Sequence, residues 1–530
     1  MTPIFFHRDI STDINLNPAE AKIRGLLVDF CDQYNLKHDP PLVLRITGGW
    51  VRDKLLGNES NDIDIAIDHL SGEKFASLLV DYINSKPKIT EDERILSNSI
   101  HKIEKNPEKS KHLETCTTKL YGLDIDFVNL RNEEYTEESR IPIIKYGTPE
   151  EDALRRDATL NALFYNLQTQ KVEDFTQRGL EDLANGLLRT PLSPKKTFLD
   201  DPLRCLRLIR FASRFNFSIE QETLDAMSQE EIRHALHRKI SRERVGVEIE
   251  KMLAGPNPDY GLKLIYQTQL YSSIFNFGDV TDVVMDMNKD KHVLIREISQ
   301  RNQEFLKKIV TEFPLLIELI QKHEDLNEEW EIINKDKFLK KILYLSLLIT
   351  EWEGLQLLAN PKKKIKKMLY ASELIIKEGV KYSTKESDII SGIVNSSESF
   401  KSFVNLVLTN SSIKRSEIGL FIKNYNEYWR LAVIFNLLSS CLKNNNEQNL
   451  DVIFKNYESF LDTIVELDLS HVYTIKPLID GKTLSHELNI KPGPWMKKAQ
   501  DLILIWQLDN SDKSKEECLD YIKKILPEFI

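Results

Sequence analysis

Asp62 and Asp64 are the residues of this chain best suited to hold a divalent cation. They lie in Asn61-Asp62-Ile63-Asp64-Ile65, where acidic and apolar residues alternate. Strand periodicity sends both carboxylates to one side and both isoleucines to the other. Neighbouring carboxylates repel unless a cation sits between them, so one or two metal ions are the economical explanation. Such a pair alone is commonly a solvated strand edge. What strengthens it here is its position after Thr47-Gly48-Gly49-Trp50-Val51-Arg52-Asp53. In that run an apolar strand from Leu42 meets a Gly-Gly turn, where missing Cβ atoms let backbone approach a phosphate, and a short helix opens directly behind it.

Three further runs carry compatible chemistry. Leu123-Asp124-Ile125-Asp126-Phe127 alternates in the same way, and Asp126 is the choice for a further catalytic carboxylate on a neighbouring strand, against the plain reading of an amphipathic strand facing water. In Arg155-Arg156-Asp157-Ala158-Thr159-Leu160-Asn161, the paired arginines can neutralise a triphosphate. Asp157 and Asn161, four apart, are expected to share a helix face suited to ribose hydroxyls. In Asp200-Asp201-Pro202-Leu203-Arg204-Cys205-Leu206-Arg207-Leu208-Ile209-Arg210, the aspartates and proline read as a helix start. Three arginines then recur every third residue, while Leu206 and Ile209 serve packing.

The elements that must position these residues change character along the chain. Up to about residue 166, alternating runs (42–47, 63–67, 123–130) mix with helical stretches, which predicts a small mixed sheet domain; a polar, lysine-rich insert at 101–112 reads as a loop. From about residue 198, helical periodicity takes over at 202–215, 221–237 and 241–253, and the remainder reads as all-helical. Joints are expected at 179–194, 255–258, 444–449 and 491–494.

The chain has 530 residues, enough for about three or four folding units. With 41% hydrophobic and 29% charged residues it reads as globular. The balance of 72 Lys+Arg against 82 Asp+Glu, net −10, excludes a surface that is basic throughout while leaving room for a local basic groove. Five scattered cysteines without a CxxC pair speak for a reducing compartment and against a disulfide framework or structural zinc. No apolar run approaches the ~20 residues of a membrane span.

Taken in order, Gly48-Gly49-x-Val51-Arg52-Asp53, Asp62-x-Asp64, Arg155-Arg156-Asp157, Gly179-Leu-Glu-Asp182, Asp201-x-x-Arg204 and Glu243-Arg244-Val245-x-x-Glu248 resemble the motif series of class II tRNA nucleotidyltransferases. These are the CCA-adding enzymes of the polymerase β superfamily, and flanking runs such as Phe127 to Arg131 and Asn161 to Asn166 are similar to the eukaryotic branch. The resemblance is tight over residues 40–260 and looser at 481–495. It departs from the bacterial pattern at Ala158 and Asp200, neither of which carries an expected role.

The resemblance implies an α+β fold. Residues 1–173 would form a polymerase β-like nucleotidyltransferase sheet domain, the head; residues 174–270 a helical neck that selects the base; and residues 271–530 a helical body and tail that bind tRNA. It implies Asp62 and Asp64 as metal ligands for Mg2+, two ions expected. Gly49, Arg52 and Arg156 would hold the nucleotide, Asp201, Arg204, Arg207 and Arg210 would face the base and phosphates, and the Glu243-Arg244 segment would brace that helix. The activity expected is template-free addition of CCA to the tRNA 3′ end from CTP and ATP. A poly(A) polymerase of the same superfamily and an inactive RNA-binding scaffold are the rival readings; intact Asp62 and Asp64 oppose the second.

Lys195, Lys196, Lys362, Lys363 and Lys364 are candidate RNA-backbone contacts, although a solvated helix face explains the second run equally well. The expected setting is cytoplasmic and nuclear, with a mitochondrial form through an alternative start, and without membrane association.

Overall fold

A computed structural model describes residues 7–86, 90–91, 116–136, 139–278, 283–285, 291–359, 368–409, 412–444 and 450–525. The chain divides into two compact units, Met1–Ile274 and Phe275–Ile530.

The first unit is organised around a six-stranded mixed sheet. Its strands are β1 (Leu44–Thr47), β2 (Asp62–Ile67), β3 (Cys116–Leu120), β4 (Leu123–Asn129), β7 (Phe164–Asn166) and β8 (Lys171–Glu173), in the order β3-β4-β2-β1-β7-β8. β2 and β4 run parallel and the other neighbours antiparallel. The alternation seen in the sequence assigns the faces. Ile63, Ile65, Leu123, Ile125 and Phe127 are buried, whereas Asp62 and Asp124 are exposed and Asp64 and Asp126 half-buried. Helices α1 (Pro18–Asn35) and α3 (Gly72–Ser85) cover the apolar face, with Phe75 centred 4.9 Å from Phe127 and 5.4 Å from Phe30. The aspartate face is left for a cleft.

Helix α2 (Gly49–Leu55) is fixed to α1 through a single carboxylate. Glu20 completes the capping box of α1 by accepting from the Asn17 amide at 2.8 Å. The same carboxylate accepts from Trp50 Nε1 at 3.0 Å and pairs with Lys54 Nζ at 2.9 Å. A local helix-start signal thus also orients the element that carries Arg52.

After β4 the chain forms a two-stranded hairpin, β5 (Arg131–Thr136) and β6 (Ser139–Tyr146), then α4 (Pro149–Leu154), which starts with its own Thr148/Glu151 capping box. The run expected to be a helix over Asp157 to Asn161 is not one. α4 ends at Leu154, Ala158 is extended, and Thr159–Asn161 form one 3-10 turn.

Beyond β8 come helices α5 (Gly179–Asn185), α6 (Pro194–Asp200), α7 (Leu203–Phe215), α8 (Gln221–Met227), α9 (Glu230–Lys239), α10 (Arg242–Leu253) and α11 (Pro258–Gln267), with a last turn at Tyr271–Ile274; the stretch expected to be helical also holds a short parallel pair, Leu187–Leu188 with Ser218–Ile219. The single helix read over 221–237 is broken between α8 and α9, where Gln229 is extended and Glu230 starts a new helix.

The second unit is helical, from Lys291–Ile320 to Lys515–Ile525. Its final helices enclose a core of Ile479, Leu484, Ala499, Ile503, Trp506, Cys518 and Ile522 around the Gly481 to Trp495 run. It also holds a small antiparallel ribbon of Val283–Met285, Gln356–Ala359 and Met368–Tyr370, which periodicity did not reveal. The insert at 101–112, the joint at 445–449 and the lysines 362–364 lie outside the described residues. No helix among the described residues is long and apolar enough to cross a membrane.

Gly147 sits where β6 leaves the hairpin. A Cβ there would lie 2.5 Å from the Arg131 carbonyl carbon and 2.6 Å from the Asn132 nitrogen. Both contacts are backbone and cannot step aside cheaply. Gly147→Ala is therefore expected to lower stability by about 1–3 kcal/mol, measured as a fall in the urea midpoint with unchanged slope.

Candidate active site

Cross-strand register gathers the carboxylates. Thr47, the last residue of β1, lies opposite Asp64 of β2, which lies opposite Asp126 of β4. Asp62 follows on the same face, one pleat along. Burial first, then the charges of Asp62 and Asp126, push the Asp64 carboxyl up to about 6, against the opposing pull of Arg156 and Arg131. A bound cation relieves that unfavourable state. Among the described residues no three His, Cys, Asp or Glu side chains form a closed metal cage. Two carboxylates on a half-open face suit Mg2+ instead, since it keeps waters and shares its remaining positions with substrate phosphates.

The Gly-Gly turn adjoins this row. Gly48 has φ 74°, and its amide donates to the Leu163 carbonyl at 3.2 Å, so this N–H is already engaged by the sheet. Glycine is needed at 48 for a second reason: a Cβ there would stand 3.0 Å from Arg156 Nη1. Arg156 passes over the turn, donating to Thr47 Oγ1 at 2.7 Å and to Asp152 Oδ2 at 2.8 Å. Asp152, buried on α4, also takes Arg155 at 2.5 Å and the Arg131 amide at 3.1 Å. Burial works against its charge, but Arg156 and Arg155 prevail and hold its carboxyl below the ordinary range.

Asn161 connects the next layer. Its carbonyl-type Oδ1 accepts from Arg52 Nη1 at 2.6 Å, its Nδ2 donates to Asp157 Oδ1 at 2.9 Å, and its backbone carbonyl accepts from Arg156 at 3.3 Å. The other oxygen of Asp157 accepts from Arg207 Nε at 2.7 Å. Asp157 is buried, which raises its carboxyl, yet Arg207, Asn161 and Arg204 together hold it well below the usual range. Asp157 and Asn161 thus meet as the sequence suggested, across a turn and not along a helix.

Helix α7 supplies the opposite wall. The Leu203 amide donates to Asp201 Oδ1 at 3.1 Å, which fixes the aspartate at the helix start. Arg204 donates to the Tyr135 hydroxyl at 3.3 Å and lies 3.8 Å from Glu133, both on β5. Arg210 is held by Glu248 of α10 at 2.5 Å. α10 is itself fixed by Arg242, which donates to the Ser273 carbonyl at 2.8 Å and also to that of Ile274. Between these walls lies a cleft of about 390 Å³, lined by Gly48, Gly49, Arg52, Asp64, Arg155, Arg156, Asp157, Asn161, Asp201, Arg204, Arg207, Phe211 and Arg244.

This cleft brings together most of the residues the sequence singled out. Asp62 and Asp126 are not among its lining residues: Asp62 stands exposed one pleat along from Asp64, and Asp126 is the cross-strand neighbour of Asp64. Arg210 flanks the cleft through Phe211, whose ring centre lies 4.2 Å from its guanidinium. Lys195 and Lys196 stand exposed on α6, with Lys195 3.0 Å from Glu231. Sequence reasoning missed Glu133, Tyr135, Asp152 and Phe211. It also gave no role to Arg131, whose Nε is buried without a hydrogen-bond partner among the described residues. A β5 strand with Arg131, Glu133 and Tyr135 at every second position is the one signal that could have found three of them.

The model of the poly(A) polymerase head domain matches residues 44–189, and that of the probable RNA- and SrmB-binding site of polymerase A matches residues 216–279. The chain is 44% identical to the mitochondrial CCA tRNA nucleotidyltransferase of Saccharomyces cerevisiae, over 98% of this chain and 95% of that protein. It is likewise 44% identical to the mitochondrial CCA tRNA nucleotidyltransferase of Candida glabrata, over 98% of this chain and 97% of that protein. The solved structure of the Thermotoga maritima CCA-adding enzyme complexed with tRNA shares the fold, at TM-score 0.57 and 18% identity over 96% of each chain.

The Asp157 arrangement sets a pH dependence. Because its carboxyl is depressed in the folded state, its contribution is present above the unfolded carboxylate range near pH ~4 and is lost as pH falls below it. Asp157→Asn should cost about 1–3 kcal/mol at pH 7. Urea unfolding should show the gap to the unmodified chain narrowing toward pH 3.

Proposed function

The chain belongs to the class II CCA-adding tRNA nucleotidyltransferases, eukaryotic type, and from that premise we propose how its cleft adds CCA to the 3′ end of tRNA from CTP and ATP. The observation that supports the reading most directly is the convergence of the Asp64 carboxylate, the Gly48–Gly49 turn and Arg52, Arg155, Arg156, Arg204 and Arg207 on one cleft. The reaction is attack of the RNA 3′-hydroxyl on the α-phosphate, with pyrophosphate leaving and no nucleic-acid template.

In our reading, Asp62 and Asp64 hold Mg2+, two ions, and when bound these supply the Lewis-acid charge that favours the attacking alkoxide and the leaving pyrophosphate. Asp126, opposite Asp64, is the further carboxylate beside the 3′-hydroxyl. Gly49, Arg52 and Arg156 hold the nucleotide, Arg156 being anchored at Thr47 and Asp152 before substrate arrives. Asp157 and Asn161 present the ribose contacts. Charge preorganised in this way avoids reorganisation at the moment of reaction.

Base choice falls to α7, with Asp201 and Arg204 reading the base and Arg207 and Arg210 alongside. Cytosine and adenine each offer an amino donor beside a ring-nitrogen acceptor, which a carboxylate next to a guanidinium matches. Uracil and guanine offer the reverse.

Residues 1–173 act as the catalytic head, 174–270 as the neck, and 271–530 as the body and tail along the acceptor arm. Lys195, Lys196 and the lysines 362–364 are assigned as backbone contacts. The chain serves cytoplasmic and nuclear tRNA, with a mitochondrial form that the names of two relatives support.

The test of the function is incubation of tRNA lacking its 3′ CCA with CTP, ATP and magnesium, followed by sequencing of the product; a long adenylate tail would mark a poly(A) polymerase instead. Asp62→Ala and Asp64→Ala should abolish addition while leaving tRNA affinity within about twofold of the parent in a filter-binding assay, because the RNA is held mainly elsewhere. Asp201→Ala or Arg204→Ala should slow CTP and ATP use and improve relative UTP or GTP incorporation. Two unmet contacts are worth on the order of a hundredfold in discrimination, read from single-nucleotide competition assays.

A further inference from the structure

Phe211 is the one aromatic side chain lining the cleft, and it is 5% exposed. Its ring centre lies 4.2 Å from the guanidinium carbon of Arg210, 5.2 Å from that of Arg52 and 5.5 Å from that of Arg207. Arg52 belongs to α2, behind the Gly-Gly turn, whereas Arg207 and Arg210 belong to α7. One ring therefore meets cations from both walls. A second ring on the same face of α7, Phe215, is centred 6.3 Å from Phe211 at 18° to it. Arg52 lies 4.7 Å from Phe215, so this guanidinium is held by two nearly parallel rings.

The carboxylates around this cluster fix only part of its geometry. Arg52 has Asp53 at 2.7 Å and Asn161 Oδ1 at 2.6 Å, Arg207 has Asp157 at 2.7 Å and Arg210 has Glu248 at 2.5 Å. The contacts of Arg207 and Arg210 each tether one edge of a planar guanidinium and leave rotation about that edge to be restrained by something else, whereas Arg52 is held at two edges and so serves as the fixed point across the ring. An aromatic face supplies the restraint, attracting each cation without using its N–H groups. Like charges then keep a fixed separation without loss of the hydrogen bonds to Asp53, Asn161, Asp157 and Glu248.

We propose that Phe211 is a specificity-positioning residue, which sets the spacing between Arg52 at the nucleotide-holding turn and Arg207 and Arg210 on the base-reading helix. The inference rests on the assignment of α7 to base selection. Loss of the ring would let these guanidiniums reorient, so that the wrong base is held nearly as well as the right one. Phe211→Leu keeps a buried apolar side chain and removes the π face, while Phe211→Tyr keeps both.

The experiment measures kcat and KM for CTP, ATP and UTP on tRNA ending before CCA, with thermal unfolding of each variant alongside. For Phe211→Leu the ratio of CTP to UTP kcat/KM should fall on the order of tenfold. For Phe211→Tyr it should stay within about twofold of the parent. If Phe211→Leu lowers CTP and UTP use equally, or if Phe211→Tyr loses discrimination as Phe211→Leu does, the ring acts through packing alone and the proposal is overturned. Should Phe211→Leu fail to fold, Phe211→Met takes its place under the same readout. Arg204→Ala separates the two levels: if it too leaves the CTP to UTP ratio unchanged, base selection by α7 itself fails, whereas if it alone shifts the ratio, only the role of Phe211 falls.

Discussion

A cleft that accepts a polyanionic substrate has to concentrate positive charge, and guanidiniums crowded into a partly dry cavity repel one another. The first unit meets this constraint by pairing arginines in and beside the cleft with buried carboxylates. Asp53 serves Arg52, Asp152 serves Arg155 and Arg156, Asp157 serves Arg207, and Glu248 serves Arg210. Those carboxylates are buried. Buried pairs add little net stability, but removing one partner leaves a charge stranded in low dielectric. The acidic half of the site therefore decides where the basic half points, and the elements carrying it, α2, α4 and α10, must be fixed before the cleft exists.

The fold arranges this with short-range devices. The capping box of α1 extends to Trp50 and Lys54 and so orients α2. The box at Thr148 and Glu151 starts α4, which puts Asp152 beside the hairpin that carries Glu133 and Tyr135. Arg242 binds the carbonyls of residues 273 and 274 and so fixes α10 and its Glu248. Local signals that would stabilise any helix are used here to fix the geometry of the cleft.

Much of this was legible in the sequence, and the boundary is physical. Alternation exposed the faces of β2 and β4 because period two is a property of the strand itself, and the register then brought Asp126 opposite Asp64 as read. Helix α7 was legible from its aspartate-proline start and threefold arginine spacing. The 3-10 turn at 159–161 was not: four-residue spacing also fits a turn that returns a side chain to the same place, and only the bond between Asp157 and Asn161 distinguishes it. The pairing of Glu133 and Tyr135 with Arg204 was not legible because it spans some seventy residues, whereas the Asp152 contacts to Arg155 and Arg156 lie within one helical turn and could have been read from the spacing.

The parallel pairing of β2 with β4 has a bearing on quality control. Because Asp62 and Asp64 alternate with Ile63 and Ile65, sliding β2 by one residue would turn both carboxylates into the core and both isoleucines toward the cleft. Such a slip would bury charge and expose apolar surface at once, so a misregistered sheet would be unstable and, on the proposed role of the two carboxylates, inactive as well. Cells would find it through its exposed hydrophobic surface, as they find any unfolded chain, and a stably folded enzyme that occupies tRNA without extending it would not accumulate by this route.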